Sequence, residues 1–469
     1  MKFKRTTLIV VVSRFISNGL GFVGTIYYAR ELGPGVLGSF FLLQSLIGIL
    51  GIPADLGVQG ALEKRISEGG DENQLYAASL LFIAISFIAV FLISLLLRDQ
   101  INNYIGASLF WELIVLLLAA IITRLYLSVL RGELKVIQSA LLRAFKALFT
   151  LATAVALLII GFHIYALIYG ILVGHVMTIL LSVYIIGLSP KKPGIEHFNQ
   201  IFSFSKYNTL LQTSGLIYSW TDIVVIGWFL SNSAVGVYEI AWRVSMVSII
   251  ASDAISNIIF PNFSDLHAKG QLSEIGDTLS RAITYSIIIP IGIFFGSILL
   301  SEDLLLTIYG PTFASGASVL IILLGERIIH SFYKSLFNVT MAFDQPNIAF
   351  RISLISIFLN IALNIALVPI IGIEGAALAM LAAYVISSVL YYQHVRQKIS
   401  FNLPIRNILW MTSAGTLMTI SISLVEQIVN GYSLGTLLII ITTGGLLYLG
   451  IVLMKTNIKI PDNTLRQIW

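Results

Sequence analysis

The residues of this chain best suited to chemistry are ionisable groups set inside long apolar stretches. Arg14, Arg143, Lys146, Arg243, Arg327 and His330 are cations or become so on protonation, and Asp55, Asp222, Glu239 and Asp253 are carboxylates. A charge in hydrocarbon is costly, so each is a functional hypothesis by default. Guanidinium forks bind phosphate oxygens in pairs, and an ammonium adds a compact point charge. A carboxylate near an arginine changes the net charge such a group offers. The chemistry implied is reversible capture of an oxyanion, with the carboxylates coupling or gating it. Covalent chemistry has little to work with. The absence of cysteine excludes thiol catalysis, disulfides and thiolate metal sites. The six histidines show no HxxxH or HExxH spacing. No catalytic residue, metal or cofactor is expected.

Each site has a plainer alternative. Arg14 lies about 12 Å along its helix, at 1.5 Å per residue, which suits a cavity lining, though its long stem also allows snorkelling. Arg243, Glu239 one turn before it, and Asp222 on the preceding helix form either a charge-switched site or a structural ion pair. Glu326, His330 and Lys334 share one stripe at i, i+4, i+8 beside Arg327, a stripe that cannot face lipid throughout. Arg143 and Lys146, with Arg124, are near enough to a helix end to snorkel. His175 is expected to be a hydrogen-bonded interior histidine. Asp55 and Asp253 sit near helix ends, and Asp55 follows Pro53, which suits a helix break or a gate.

The elements that carry these residues are membrane spans. Of 469 residues, 57% are hydrophobic and 11% charged, and mean hydropathy is +0.93. Soluble domains carry about 25% charged residues, so most of this surface must face lipid. Apolar runs of about 20 residues match a helix crossing a bilayer. They predict an all-α polytopic protein with about fourteen spans: 6–29, 36–58, 74–97, 108–128, 139–160, 164–187, 204–230, 234–262, 279–300, 315–338, 350–370, 373–394, 405–425 and 434–454. The first run is longer than a signal-peptide core and reads as an uncleaved span. With the N-terminus inside, eighteen Lys and Arg fall in inner loops and tails, against Arg30 and Arg98 outside. That asymmetry predicts both termini in the cytoplasm. It also accounts for a pI near 9.2 without a nucleic-acid partner. The outer loops are too short to house a glycosyltransferase or polymerase site.

The chain repeats itself weakly. Leu32 to Phe40 aligns with Leu230 to Tyr238 at an offset of 198, matching Gly38 to Gly236, and Asp55 then falls on Asp253. Further on, Glu133 matches Asp344, and Gly161 matches Gly372, at 211. Six spans per repeat predict parallel repeats about an axis along the membrane normal. The expected organisation is an N-lobe at 1–187, a cytoplasmic linker at 188–203, a C-lobe at 204–400, and two appended spans with a cytoplasmic tail at 401–469.

These same segments carry a family resemblance. Ala29-Arg30-Glu31-Leu32-Gly33-Pro34, Gly38-Ser39-Phe40 and Ala54-Asp55-Leu56-Gly57 stand in the first half. Asp222, Ile226-Gly227, Val235-Gly236-Val237-Tyr238 and Ala241 stand in the second. In this order they resemble the polysaccharide transporter family, the Wzx-type oligosaccharide and O-antigen flippases of the multidrug/oligosaccharidyl-lipid/polysaccharide exporter superfamily. The resemblance implies a V-shaped two-lobed fold, alternating access, and a polyprenyl-linked glycan as substrate. Membrane lipid and glycan polymerase or assembly machinery are the further partners it implies. The energy source is open between membrane potential and coupled H+ or Na+. Two readings stay beside it: a lipid II-type peptidoglycan precursor flippase, and a cation-coupled small-molecule antiporter of the same superfamily. The antiporter should have an acidic cavity, whereas the deep charges here are mostly basic.

Overall fold

The computed structural model describes residues 2–187, 190–426 and 433–455, with side chains other than those of 2–5, 206–219 and 455. Its described residues are helical, with no strand among them. Twelve helical stretches are long and apolar enough to cross a membrane. The first of these, Thr6–Asp55, spans 50 residues, about 75 Å at 1.5 Å per residue, more than twice a bilayer core. It lies in α1 (Lys2–Asp55), which is broken at Gly33, where φ is 71° and ψ is 175° just before Pro34. Only glycine adopts that backbone readily, and the proline cannot donate to the ladder. The stretch therefore holds two of the expected spans. The seventh expected span, 204–230, lies in α8 (Ile195–Phe229), and its side chains at 206–219 lie outside the described residues. With these two counted, each of the fourteen expected segments has its helix. The tail at 456–469 and the linker positions 188 and 189 lie outside the described residues.

The chain divides into two compact units, Met1–Glu239 and Ile240–Trp469. The first unit continues from α1 into the short α2 (Val58–Ser67) and α3 (Glu72–Leu96). Asp71 caps α3, its carboxylate accepting from the Asn73 and Gln74 amides, which supplies two of the orphan donors of a helix start. Then come α4 (Arg98–Ile105), α5 (Phe110–Gly132), α6 (Val136–Ile159) and α7 (Ile164–Ile186). On α7, Ala166, Gly170, Gly174 and Thr178 form a ladder of small residues at four-residue spacing. A Cβ at Gly170 would lie 2.8 Å from the Thr150 carbonyl oxygen, and one at Gly174 would lie 3.0 Å from that of Lys146. Such ladders let membrane helices press backbone to backbone, and this one fixes the rotation of α6. Finally α8 runs along the second half of α1. Ser205 donates to the Leu56 carbonyl, Trp220 covers Gly48, and Tyr104 of α4 donates to the Val224 carbonyl at 3.1 Å.

The second unit begins within α9 (Asn232–Ser245) and continues through α10 (Ile250–Ala268), α11 (Leu272–Tyr309), α12 (Ala317–Ala342), α13 (Pro346–Ile371), α14 (Ile373–Arg396), α15 (Ile405–Glu426) and α16 (Leu434–Lys455). The expected span 234–262 is not one regular helix. A 3-10 turn at Met246–Ile249 separates α9 from α10. Ser245 and Ser248 donate back to the carbonyls of Trp242 and Ser245, the kind of local bonding that competes with the helical ladder. The appended helices dock on α11. Thr419 donates to the Phe295 carbonyl and Tyr448 to that of Ile288, both at 2.8 Å.

The turns repeat between the two halves. Leu134 and Asp344, each closing the helix before it, have φ of 59° and 55°. His163, before α7, has φ 46° and ψ −128°, and Gly372, before α14, has φ 69° and ψ −145°. These pairs are 210 and 209 residues apart, so backbone conformation shifts the alignment slightly from the 211 suggested by residue identity. Non-glycine residues at positive φ are uncommon, which makes the coincidence informative.

Candidate functional site

In the first unit four cations from three helices converge. Arg14 lies on α1, Arg124 on α5, and Arg143 and Lys146 on α6. The charges of Arg14, Arg131 and Glu63 act on Arg143. Those of Arg124 and Arg143 act on Lys146, and Asp55 at the end of α1 acts on Arg124. Arg14 and Arg143 are exposed, while Arg124, Lys146 and Asp55 are half-buried. Toward the same helix ends Arg131 is already engaged, at 2.7 Å from Glu63. The cluster thus keeps a surplus of positive charge. Beneath it His175 is buried, its Nδ1 2.8 Å from the Thr123 hydroxyl, in keeping with an interior hydrogen-bonded histidine.

The second unit treats its charges differently. Arg327 and Glu326 are both buried, at 3% and 0% exposure, and pair at 3.0 Å. The Arg327 Nε donates to the Ser245 hydroxyl at 3.2 Å, and the guanidinium faces the Trp242 ring at 5.7 Å. Serines continue the network. Ser331 donates to Ser252 at 3.0 Å, Ser252 donates to the Ser286 carbonyl, and Asn338 donates to the Ser256 carbonyl. His330, half-buried, stands in an aromatic group, 5.1 Å from the Tyr384 ring and 5.9 Å from Tyr333. Arg243 is half-buried, and its charge reaches Tyr309. Asp253 is half-buried in the first turn of α10. In the first unit Asp222 and Glu239 are buried, and Asp222 accepts a 2.6 Å hydrogen bond from Tyr238.

The structure therefore gathers Arg14, Arg143 and Lys146 with Arg124, and separately seats Arg327 beside Glu326 and His330. Sequence reasoning missed Tyr238 as the partner of Asp222, since nothing in a phenylalanine-like span residue announces its hydroxyl. It also missed an apolar cavity of about 220 Å3 in the second unit. This is lined by Val244, by α11 from Ile289 to Leu304, and by parts of α12, α15 and α16, including Gly292, Gly296, Gly444 and Gly445. Those paired small residues are the signal that could have found it.

The profile of the family described as "Polysaccharide biosynthesis protein" matches residues 3–267. A protein of Haloferax volcanii named "Probable low-salt glycan biosynthesis flippase Agl15" is 34% identical over 460 residues, covering 98% of this chain and 97% of that one. A second protein of that organism, "Probable flippase AglR", is 32% identical over 83% of this chain and 82% of its own length. Among solved structures, the lipid II flippase MurJ in an inward closed conformation superposes with a TM-score of 0.82 at 17% identity, covering 95% of this chain and 98% of that one. An inward-facing multidrug resistance MATE family transporter does so with a TM-score of 0.66 at 16% identity, covering 83% and 98%. At these identities the two structures speak for a shared fold.

Proposed function

This chain belongs to the polysaccharide biosynthesis protein family, and we propose that it flips a polyprenyl-phosphate- or pyrophosphate-linked oligosaccharide across the cytoplasmic membrane by alternating access, for cell-surface glycan assembly. The observation that carries this reading is the cation cluster of Arg14, Arg124, Arg143 and Lys146. Four like charges facing lipid would be prohibitively costly, so they require water and an anionic ligand, and a lipid-linked glycan carries its anion at the head. In this reading Arg14, Arg143 and Lys146 bind phosphate together with Arg243, while Arg327, which the sequence also offered as a phosphate ligand, is held by Glu326 in the interior. His330 and its tyrosine neighbours offer rings for sugars. The apolar cavity beside α15 and α16 suits an isoprenoid tail. Asp222, Glu239, Asp55 and Asp253 couple or gate. No bond is made or broken, so the protein acts as a transporter and not as an enzyme.

The positive-inside pattern supports both termini in the cytoplasm. The repeat supports functional lobes at 1–187 and 204–400, joined by the linker 188–203, with 401–469 appended. Membrane potential can drive export, because one charge crossing the field is worth about 2.3 kcal/mol per 100 mV. An H+ or Na+ bound near Asp222 and Glu239 is the alternative. The basic surplus favours an anionic substrate over the cation of an antiporter. It leaves a lipid II-type precursor as the second reading.

Native mass spectrometry of lipid co-purified with the wild type and with Arg143→Ala/Lys146→Ala tests the proposal. A phosphorylated polyprenyl glycan bound to the wild type and lost from the variant is expected. A muropeptide-bearing lipid would favour the second reading, and binding of organic cations in place of either would overturn both.

A further inference from the structure

Where span 2 begins and α9 begins, two stretches of the repeat meet each other. A Cβ at Gly38 would fall 1.7 Å from the carbonyl oxygen of Asn232, and one at Gly236 would fall 2.1 Å from that of Pro34. Between them, a Cβ at Gly35 would lie 3.3 Å from the Ser233 hydroxyl. Gly38 and Gly236, Pro34 and Asn232, and Gly35 and Ser233 are each 198 residues apart. The contact is therefore reciprocal: each glycine accepts the backbone of the other's partner, as at a two-fold interface where the same surface is used twice. Two hydrogen bonds close it. Asn232 Nδ2 donates to the Ser39 hydroxyl at 2.7 Å and to the Ile105 carbonyl at 2.8 Å. At the two glycines themselves the nearest atoms across the contact are backbone atoms rather than side chains.

We propose that Gly38 and Gly236 form a latch that shuts one end of the transport path and parts once in every cycle. The proposal rests on the alternating-access reading above. On the orientation inferred there, the latch closes the outer face, because residues 30–36 and 230–234 connect spans on that side. Any side chain at either glycine holds the two backbones apart and so favours the open end. A covalent link across the latch does the opposite.

The chain has no cysteine, so both directions can be tested without background. The pair Gly35→Cys and Ser233→Cys adds no atom to either carbonyl contact, and a Cβ at residue 35, 3.3 Å from the Ser233 hydroxyl, brings the two sulfurs within reach of each other. In proteoliposomes, oxidation is expected to abolish transport of a fluorescent polyprenyl-phosphate glycan, and reductant to restore it. A cross-linked protein that transports at the reduced rate would overturn the latch. In a second arm, Ser39→Cys, buried beneath the contact, is labelled with a membrane-impermeant maleimide with and without Gly236→Ala. Labelling should rise several-fold with the alanine; unchanged labelling of folded protein would overturn the latch. This arm needs no substrate. Failure of the reduced protein to transport the chosen lipid thus counts against the substrate reading, while the labelling arm still tests the latch.

Discussion

The two halves of this protein place polar residues at equivalent positions and use them differently. In the alignment set by the turns, Arg124, Arg143 and Lys146 correspond to Lys334, Ser353 and Ser356, and His175 corresponds to Tyr384. The first unit holds converging cations opposed by Asp55, with two of them exposed. The second replaces most of that charge with hydroxyls and rings, and pairs its deepest arginine, Arg327, with Glu326 in a dry setting. A cluster left with surplus charge is built to receive an ion. A buried pair whose arginine also donates to Ser245, just before the 3-10 turn, suits a structural tie between helices. On the reading proposed above, the first unit's cluster binds the ligand while the second unit's Arg327 pair serves as scaffold.

The comparison makes graded predictions. The largest effect should come from Arg143→Ala/Lys146→Ala. A hydrogen bond to a charged group is worth about 1.5–3 kcal/mol, so the double loss should weaken polyprenyl-pyrophosphate binding by about 100-fold or more. Ser353→Ala/Ser356→Ala, at the equivalent positions, should leave binding nearly unchanged. Calorimetric titration of purified protein checks both. Equal losses in the two variants would break the division proposed here.

Stability should run the other way. Arg327→Ala removes a charged partner of Glu326 in the interior, and removing one partner of a buried pair costs about 3–5 kcal/mol. The variant should unfold well below the wild type in detergent, whereas Arg143→Ala, which relieves repulsion among like charges, should unfold no earlier. Thermal unfolding followed by tryptophan fluorescence reads the difference. A third and smaller effect is ionic. Partly exposed charges are screened within about 10 Å at 0.1 M salt, so pyrophosphate affinity should fall as salt rises while the unfolding midpoint barely moves. The smallest effect should be that of Ser331→Ala, which removes the hydroxyl bond to Ser252. Bonds between membrane helices average about 0.6 kcal/mol, a shift that chemical denaturation of the variant beside wild type can detect.

Much of the fold was legible before any coordinates. The runs predicting spans all fall on helix, once α1 is divided at Gly33-Pro34, α8 is counted, and the eighth run is seen as two helices joined by a 3-10 turn. The repeat read from Gly38 and Gly236 reappears as matching turns at Leu134 and Asp344 and as the reciprocal contact itself. The break inside the eighth span was not legible, because Ser245 and Ser248 are ordinary span residues until their hydroxyls turn back on the helix. The grouping of Arg14 with Arg143 and Lys146 was not legible either, since these residues lie more than a hundred positions apart.

What the sequence alone determined is what depends on a residue and the lipid around it: helical spans and their number. These are transfer free energies, summed locally along the chain. What only the tertiary structure decided is direction: which face of each helix turns inward, which charges meet, and where two backbones touch. In water an amphipathic stripe announces the inward face. In lipid the surroundings are as apolar as the packed interior, so helices apolar on every side carry no such mark. Their rotation is then decided by pairwise fits, such as Gly174 against Lys146 and Gly38 against Asn232, which exist only once both partners are in place.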